Sequence, residues 1–271
     1  MRVGFIGLGS QGGPMARRII EGGFATTLWA RRPASVEPFA DTPATVAQTP
    51  AELAAASDLV CLCVVGEADI EEITSGAHGL LAGLMPGSVI AVHSTVHPDT
   101  CKSLAKTAGE KGVSVIDAPV SGGGPAAAEG RLMVMVGGDA DTVQSCRPVF
   151  ETYGDPVVHL GELGTGQTTK LLNNLLFTAH LGTAATALSL AQSLGVAPER
   201  LVEVVSRGSG NSFALNVIGG TGGLDRLAGL AGTLLQKDVR LIVDLAEAAA
   251  TPGGAVLDAA DAALALMDHR R

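Results

Sequence analysis

Short apolar runs alternate with helical patterns through the N-terminal part of the chain. The runs predict strands at residues 3–6, 26–30, 45–46, 58–65, 88–92, 113–117, 131–136 and 156–159. Most are continuously apolar, which is typical of strands buried on both faces of a parallel sheet. Helical patterns that begin at Pro14, Pro50, Ile70, Pro98 and Asp139 separate them. This alternation predicts an α/β fold with a doubly wound parallel sheet.

Strand signals stop after about residue 161, and the rest of the chain carries only helical patterns. The run 171–194 is rich in Leu and Ala and has no charged side chain, which predicts a helix buried on all sides. A glycine-rich stretch at 219–223 predicts a loop between helices. The change of pattern predicts two domains, residues 1–161 and an all-α domain at residues 162–271.

Composition narrows the classes of protein that this pattern fits. Hydrophobic residues make up 46% of the 271 residues, and the net charge of −9 argues against a nucleic-acid partner. The run 171–194 contains His180, two asparagines and several Ser and Thr, so we expect no membrane span. We expect His180 to be a buried structural histidine, with a place in a substrate pocket as the alternative.

Cysteine usage and the N-terminus indicate the compartment. Cys61, Cys63, Cys101 and Cys146 lack the spacing of a zinc site or redox pair, so we expect reduced thiols and no metal. The chain passes directly into its first predicted strand, without the apolar segment of a signal peptide. Both observations predict a cytoplasmic protein.

A glycine motif joins the first predicted strand to the first predicted helix. It reads Gly7, Leu8, Gly9, Ser10, Gln11 and Gly12, which is G-x-G-x-x-G. Such glycines permit a tight turn and let a pyrophosphate approach the helix N-terminus, whose free N–H groups favour anions. A plain strand-to-helix turn is the alternative. The position of the motif predicts that residues 1–161 form a Rossmann-type dinucleotide-binding domain.

The end of the second predicted strand indicates which dinucleotide is bound. Ala30 is followed by Arg31 and Arg32, where an NAD-specific fold would carry an acidic residue for the ribose 2′-OH. The nearest downstream acids are Glu37 and Asp41. Because Arg forms paired hydrogen bonds with phosphate, NADP(H) is predicted to be preferred, with NAD(H) possible. Arg31 is the favoured ligand, and a solvated arginine pair is the alternative.

A lysine begins the long apolar run. Lys170 follows a glycine-containing turn, and Asn174 lies four residues later, on the same helix face. Partial burial lowers a lysine pKa toward the range useful for proton transfer near neutral pH, so Lys170 is a candidate proton donor beside an orienting amide. The alternative is a lysine that extends to solvent and a capping asparagine.

Five ordered motifs cover nearly the whole chain. They are GLGSQGGPM at 7–15, STVHP at 94–98, DAPVSGG at 117–123, GTGQTTKLLNN at 164–174 and KDVRL at 237–241. This chain resembles the β-hydroxyacid dehydrogenase family, which includes 3-hydroxyisobutyrate dehydrogenase, tartronate semialdehyde reductase, and the succinic and glyoxylic semialdehyde reductases. The resemblance implies an oxidoreductase of a small carboxylate-bearing substrate, without naming that substrate.

The resemblance also implies catalytic and substrate-binding roles. Lys170 resembles the family's general acid in carbonyl reduction and base in the reverse direction, and Asn174 resembles the residue that holds the substrate near it. Ser121, Gly122 and Gly123 resemble the loop whose hydroxyl and N–H groups bind the carboxylate. A merely flexible turn at this loop remains the alternative.

Cofactor contacts follow from the same resemblance. Thr95 resembles a contact near the nicotinamide ribose, and Lys237 resembles a lysine that closes over cofactor or substrate. Val64 and Val65 stand where the family usually has Leu-Pro beside the cofactor, so this departure leaves the contact at that loop open. A solvated pair of Lys237 with Asp238 is the alternative to a role in binding.

Two other functions stay open at this point. Imine reductases resemble this chain at the dinucleotide end but usually lack a lysine at position 170. A non-catalytic NADP-binding scaffold is the third hypothesis, and the lysine counts against it as well. Relatives pair through the helical domain, and the apolar faces at 171–194 and 245–266 exceed what a small domain can cover, so we expect a homodimer or a tetramer of dimers.

Overall fold

The computed structural model describes residues 1–221 and 223–271. These residues form two compact units, Met1–Lys170 and Leu171–Arg271. The division therefore lies within a helix that begins at Thr165, whereas the predicted domain boundary at 161/162 lies just before that helix.

A six-stranded parallel sheet forms the centre of the first unit. Its strands, in chain order, are β1 (Val3–Ile6), β2 (Thr26–Trp29), β3 (Thr45–Val46), β4 (Leu59–Leu62), β5 (Val89–Val92) and β6 (Ser114–Asp117). They are arranged β3-β2-β1-β4-β5-β6, so the strand order reverses beside β1. Ligands bind at such a reversal, outside the carboxyl ends of the strands.

Helices cover both faces of this sheet. They are α1 (Gly12–Glu21), α2 (Pro50–Ala55), α3 (Glu67–Thr74), α4 (Leu80–Gly83), α5 (Pro98–Gly109), α6 (Gly123–Ala128) and α7 (Ala140–Phe150). Side chains of the central strands alternate between two buried clusters, with Phe5 in one and Ile6 in the other, whereas both residues of the edge strand β3 are exposed. Burial on both faces explains the continuous apolar runs and confirms the predicted α/β class.

A smaller second sheet follows β6. It contains β7 (Val120–Ser121), β8 (Leu132–Val136) and β9 (Gly154–His159), in that order. The sequence predicted that 131–136 and 156–159 belong to the main sheet, and this was wrong. β7 pairs antiparallel with β8, and β8 pairs parallel with β9. Toward β6, the described residues form one isolated antiparallel bridge, between Asp117 and Gly137, and no continuous ladder. The three strands therefore form a sheet of their own.

The second unit is helical. Its helices are α8 (Thr165–Ser193), whose first turns belong to the first unit, α9 (Pro198–Val205), α10 (Phe213–Thr221), α11 (Leu224–Ala248) and α12 (Gly254–Leu266). The loop predicted at 219–223 is too long: α10 runs to Thr221, residue 222 lies outside the described residues, and Gly223 precedes α11.

Helix α8 is not buried on all sides, contrary to the prediction from its apolar composition. Leu172, Leu176 and Leu190 are 50%, 47% and 57% exposed. His180 is exposed as well, so the expectation of a buried histidine was also wrong. The helix is apolar, as its sequence indicates, but other parts of the same protomer leave one of its faces exposed.

Three further features concern membrane spans, metal sites and cysteines. Within residues 1–221 and 223–271, no helix combines the length and apolar character that a bilayer crossing requires. The same residues contain no cluster of His, Cys, Asp or Glu suited to a metal ion. All four cysteines are free.

Candidate functional site

The glycine turn after β1 has the shape that a pyrophosphate requires. Gly7 has φ +103°, and a Cβ there would lie 2.1 Å from the carbonyl oxygen of Cys63. A Cβ on Gly12 would lie 2.0 Å from the carbonyl oxygen of Gly7, whereas no described atom comes within 4 Å of such a Cβ on Gly9. Gly7 and Gly12 thus permit the tight packing of the turn, and Gly9 leaves the outer side of the turn open to a ligand.

The N-terminus of α1 is suited to an anion. Within the described part of the chain, the N-cap residue Gln11 makes no side-chain hydrogen bond to the first turn of α1, and the neighbouring Ser10 is exposed. Leu8 packs against the core on the other side of the turn. Free N–H groups at a helix N-terminus carry a partial positive charge, so the turn fits a dinucleotide pyrophosphate.

The arginine pair after β2 is exposed, and one member is already engaged. The Nη2 of Arg31 lies 2.8 Å from Oδ1 of Asp69 and 2.8 Å from Oε2 of Glu72, both on α3. Sequence reasoning looked for acids only downstream along the chain and missed these two. Arg32 is also exposed, and no ion pair joins it to any described residue, so its guanidinium is accessible beside Ala30 at the end of β2.

The loops after β4 and β5 are joined by a hydrogen bond. The N–H of Val64 donates to Oγ of Ser94 at 2.9 Å, and Ser94 is buried. Val65 is 71% exposed, while Thr95 is half-buried. The hydroxyl of Ser94 therefore fixes the loop in which the family's usual proline is absent. Both loops leave the sheet at the carboxyl ends of neighbouring strands.

The glycine segment after β6 is not a loop throughout. Ser121 ends β7, and α6 begins at Gly123, with Gly122 at φ +133° as its N-cap residue. A Cβ on Gly124 would lie 2.4 Å from the carbonyl oxygen of Ser10. The predicted substrate-binding segment therefore lies directly beside the predicted dinucleotide turn.

Lys170 lies on α8 at the end of the first unit, where it is 9% exposed. Asp117, the last residue of β6, holds the start of this helix and is fully buried. Its carboxylate oxygens accept hydrogen bonds from the N–H of Gly164 at 2.7 Å and from the N–H of Gln167 at 2.6 Å. Burial raises the pKa of the Asp117 carboxyl, and the backbone N–H groups that donate to it oppose that rise. Sequence reasoning gave Asp117 no role, although it is an acidic residue at the end of a buried strand.

Asn174 and Lys237 are joined through a buried carboxylate in the second unit. Asp238 is 4% exposed, and its Oδ2 accepts from Nδ2 of Asn174 at 2.6 Å. Its Oδ1 lies 3.1 Å from Nζ of Lys237. The Lys237–Asp238 pair of the alternative is therefore present, but it is not solvated throughout, because Asp238 is buried and also accepts from the amide of Asn174. Helical spacing alone gave no signal for this contact.

His93 is a buried titratable group that belongs to the core. Its Nδ1 lies 2.6 Å from the carbonyl oxygen of Ala118, and its Nε2 lies 3.2 Å from the hydroxyl of Tyr153. Burial lowers the pKa of His93 to about 4, so the ring is neutral near pH 7. It packs edge-on against Phe150 and Tyr153, which assigns it a structural place.

Comparison with known proteins covers both units. Residues 2–161 match the NAD binding domain of 6-phosphogluconate dehydrogenase. Residues 164–268 match the family described as NAD-binding of NADP-dependent 3-hydroxyisobutyrate dehydrogenase. Each half of the chain is thus matched by a family of nicotinamide-dependent dehydrogenases.

Individual relatives agree with the family models. Mitochondrial 3-hydroxyisobutyrate dehydrogenase of Mus musculus is 33% identical over 92% of this chain and 77% of its own length. NAD-dependent L-serine dehydrogenase of Pseudomonas aeruginosa is 32% identical over 94% and 89%. The solved structure of Mycobacterium tuberculosis 3-hydroxyisobutyrate dehydrogenase with L-serine has a TM-score of 0.85 at 27% identity, covering 99% of this chain and 95% of that one. The chain therefore belongs to the β-hydroxyacid dehydrogenase family, whose members are NAD(P)-dependent oxidoreductases.

Proposed function

We propose that the protein interconverts a small β-hydroxy acid and its semialdehyde or keto acid by hydride transfer with NADP(H). The observation that carries this proposal is the placement of Lys170. It is a largely buried lysine on a helix whose first turn is anchored to the end of β6. The carboxyl ends of the parallel strands, where a dinucleotide binds, lie at the same edge of the sheet.

The nicotinamide supplies the hydride when it is bound, and the chain supplies binding and proton transfer. The turn 7–12 would hold the pyrophosphate, and Thr95 would lie near the nicotinamide ribose, as the resemblance implies. Lys170 protonates the alkoxide oxygen in reduction and accepts the proton in oxidation. Ser121, Gly122 and Gly123 offer a hydroxyl and N–H groups to the substrate carboxylate, beside the dinucleotide turn.

Asn174 and Lys237 complete the proposed set of functional side chains. Asp238 accepts from the amide nitrogen of Asn174, which fixes the orientation of its carboxamide. A fixed amide holds a substrate hydroxyl or carboxylate in one geometry, and orientation of this kind lowers the barrier. Lys237 is 32% exposed beside Asp238, and we assign it the contact with cofactor or substrate that the family resemblance implies.

The preference for NADP(H) rests on the two exposed arginines after β2. A charge-assisted hydrogen bond to the 2′-phosphate contributes about 1.5–3 kcal/mol, which corresponds to roughly 10–100-fold in kcat/KM. One matched family is described as NADP-dependent, and one relative is named NAD-dependent, so relatives differ in this property. NAD(H) remains a usable cofactor if the arginines contribute less.

A homodimer is proposed for the assembled protein. Leu172, Leu176, Leu194 and Leu230 of the second unit are 50%, 47%, 72% and 70% exposed. Large apolar side chains exposed together on helices favour burial against another surface. Because the family resemblance implies pairing through the helical domain, a second copy of the chain is the proposed partner, with a tetramer of dimers as the larger assembly.

The reaction is tested with wild type and Lys170→Ala on glyoxylate, succinic, methylmalonate and tartronate semialdehydes, and 3-hydroxyisobutyrate. At least one should be turned over with NADP(H), and Lys170→Ala should lower kcat by about 10²–10⁴-fold while NADPH binding stays nearly intact. Lys106→Ala, an exposed lysine on α5, is the matched control.

Three results would contradict the proposal. A Lys170→Ala variant with more than about a tenth of wild-type kcat would remove the lysine from the mechanism. Turnover of cyclic imines alone would identify an imine reductase. NADPH binding without turnover of any compound in the panel would indicate a non-catalytic dinucleotide-binding protein.

A further inference from the structure

Gln167 lies on the first turns of α8 and is fully buried. Its Nε2 donates to the carbonyl oxygen of Ser94 at 2.7 Å, and its Oε1 accepts from the N–H of Val96 at 3.0 Å. Both ends of the carboxamide are therefore used, and they bind the backbone on either side of Thr95. A donor and an acceptor are needed at once, which an amide provides in one side chain.

The same turn of α8 is held from its other side. The carboxylate of Asp117 accepts from the N–H groups of Gly164 and Gln167. A Cβ on Gly166 would lie 2.4 Å from the carbonyl oxygen of Met135 and 2.8 Å from Oδ2 of Asp117. The backbone of α8 at Gly166 thus lies in close contact with Met135 and Asp117, closer than a side chain there would permit.

Buried hydrogen bonds continue from this turn to the neighbouring strand ends. Ser94 accepts from Gln167 through its carbonyl oxygen, and through its hydroxyl oxygen it accepts from the N–H of Val64. The network therefore joins the loops after β4 and β5, and the last residue of β6, to the helix that carries Lys170. All of these residues belong to the first unit, and Gln167, Ser94 and Asp117 are buried.

We propose that Gln167 is a positioning residue that sets the distance between Lys170 and the Thr95 loop. This rests on the proposed function, in which Lys170 transfers the proton and Thr95 contacts the nicotinamide ribose. Lys170 follows Gln167 by three positions, about 4.5 Å along the helix and on a neighbouring part of its surface. A displacement of about 1 Å between reacting groups costs on the order of 100-fold in rate, so a fixed first turn has a direct effect on turnover.

The amide chemistry makes the proposal specific to glutamine. Gln167→Met keeps the length and apolar stem of the side chain but removes both hydrogen bonds. Gln167→Glu keeps an acceptor for the N–H of Val96 but loses the donor to Ser94. It also buries a negative charge beside the carbonyl oxygen of Ser94. Each variant leaves a buried backbone group without its partner, which costs free energy and favours movement of the turn.

The test compares wild type with Gln167→Met in the full-length protein, using kinetics and amide hydrogen exchange. We expect kcat to fall about 10–100-fold, while the Kd for NADPH and the substrate KM change less than about threefold. In the protein without cofactor, amides at 94–97 and 164–170 should exchange faster, because the acceptor of the Val96 N–H is lost. Ser57→Ala removes another buried hydrogen bond of the first unit, to Leu53, and should leave kcat unchanged.

Distinct outcomes separate this proposal from the proposed function. A Gln167→Met variant with kcat within about threefold of wild type would overturn the positioning role. Unchanged amide hydrogen exchange at 94–97, or an equal fall of kcat in Ser57→Ala, would overturn it as well. Activity in Lys170→Ala would instead overturn the proposed function. If Gln167→Met does not fold, the same measurements on Gln167→Asn decide, because its shorter amide cannot bridge both partners.

Discussion

Removing the two acids that hold Arg31 should strengthen NADPH binding. Asp69 and Glu72 each place an oxygen 2.8 Å from Nη2 of Arg31. A 2′-phosphate must compete with both carboxylates for that guanidinium and is repelled by them as well. The double variant Asp69→Asn, Glu72→Gln frees the arginine and removes the repulsion, so the Kd for NADPH should fall.

The magnitude follows from the exposure of the three side chains. Arg31, Asp69 and Glu72 are 56%, 25% and 66% exposed, so the surrounding water screens their ion pairs. Exposed pairs of this kind are individually weak, but the 2′-phosphate must displace two of them to reach Arg31. The Kd for NADPH should therefore decrease about two- to thirtyfold at low salt.

The assay measures Kd by NADPH fluorescence titration at low and high salt, with NADH in parallel. The Kd for NADH should be nearly unchanged, and the gain with NADPH should shrink at high salt because the interaction is screened. Glu71→Gln is the matched control: it removes one exposed charge from the same helix without touching Arg31. Weaker or unaltered NADPH binding in the double variant, or an equal gain in Glu71→Gln, would refute the reasoning.

Three further predictions concern the cofactor, the core and the assembly. The double change Arg31→Ala, Arg32→Ala should raise the KM for NADPH about 10–100-fold and leave NADH kinetics little altered, as steady-state assays with both cofactors will show. The pKa of His93 is lowered from 6.5 to about 4 in the folded state, so stability is retained above pH 6.5 and lost as the pH falls toward 4. Urea unfolding at pH 7 and pH 4 should therefore show a loss about 3 kcal/mol smaller in His93→Gln than in wild type. Light scattering at micromolar concentration should report a dimer, and Leu172→Glu, Leu176→Glu should shift it toward monomer; a wild-type monomer would contradict the proposed assembly.

Local pattern was sufficient for most elements of the first unit. Continuous apolar runs marked the strands, and Asp139 was placed correctly as the cap of α7, where its Oδ1 accepts from the N–H of Thr142. The pattern did not reveal that β8 and β9 leave the main sheet, because a run of apolar residues carries no information about its pairing partner. Strand β7 was missed because it has only two residues, and α6 was missed because it is short and begins with two glycines.

The sequence by itself determined the family, the α/β class and the residue types of the proposed site, because the five motifs carry them in order. Only the tertiary structure decided which partners those residues have. Asp117 meets Gln167, and Asp69 meets Arg31, across long separations in the chain. Within the second unit, Asp238 is buried against Asn174 instead of being solvated beside Lys237. The physical reason is that spacing fixes only neighbours on one helix or strand, whereas hydrogen bonds and burial between elements arise only once the elements have packed.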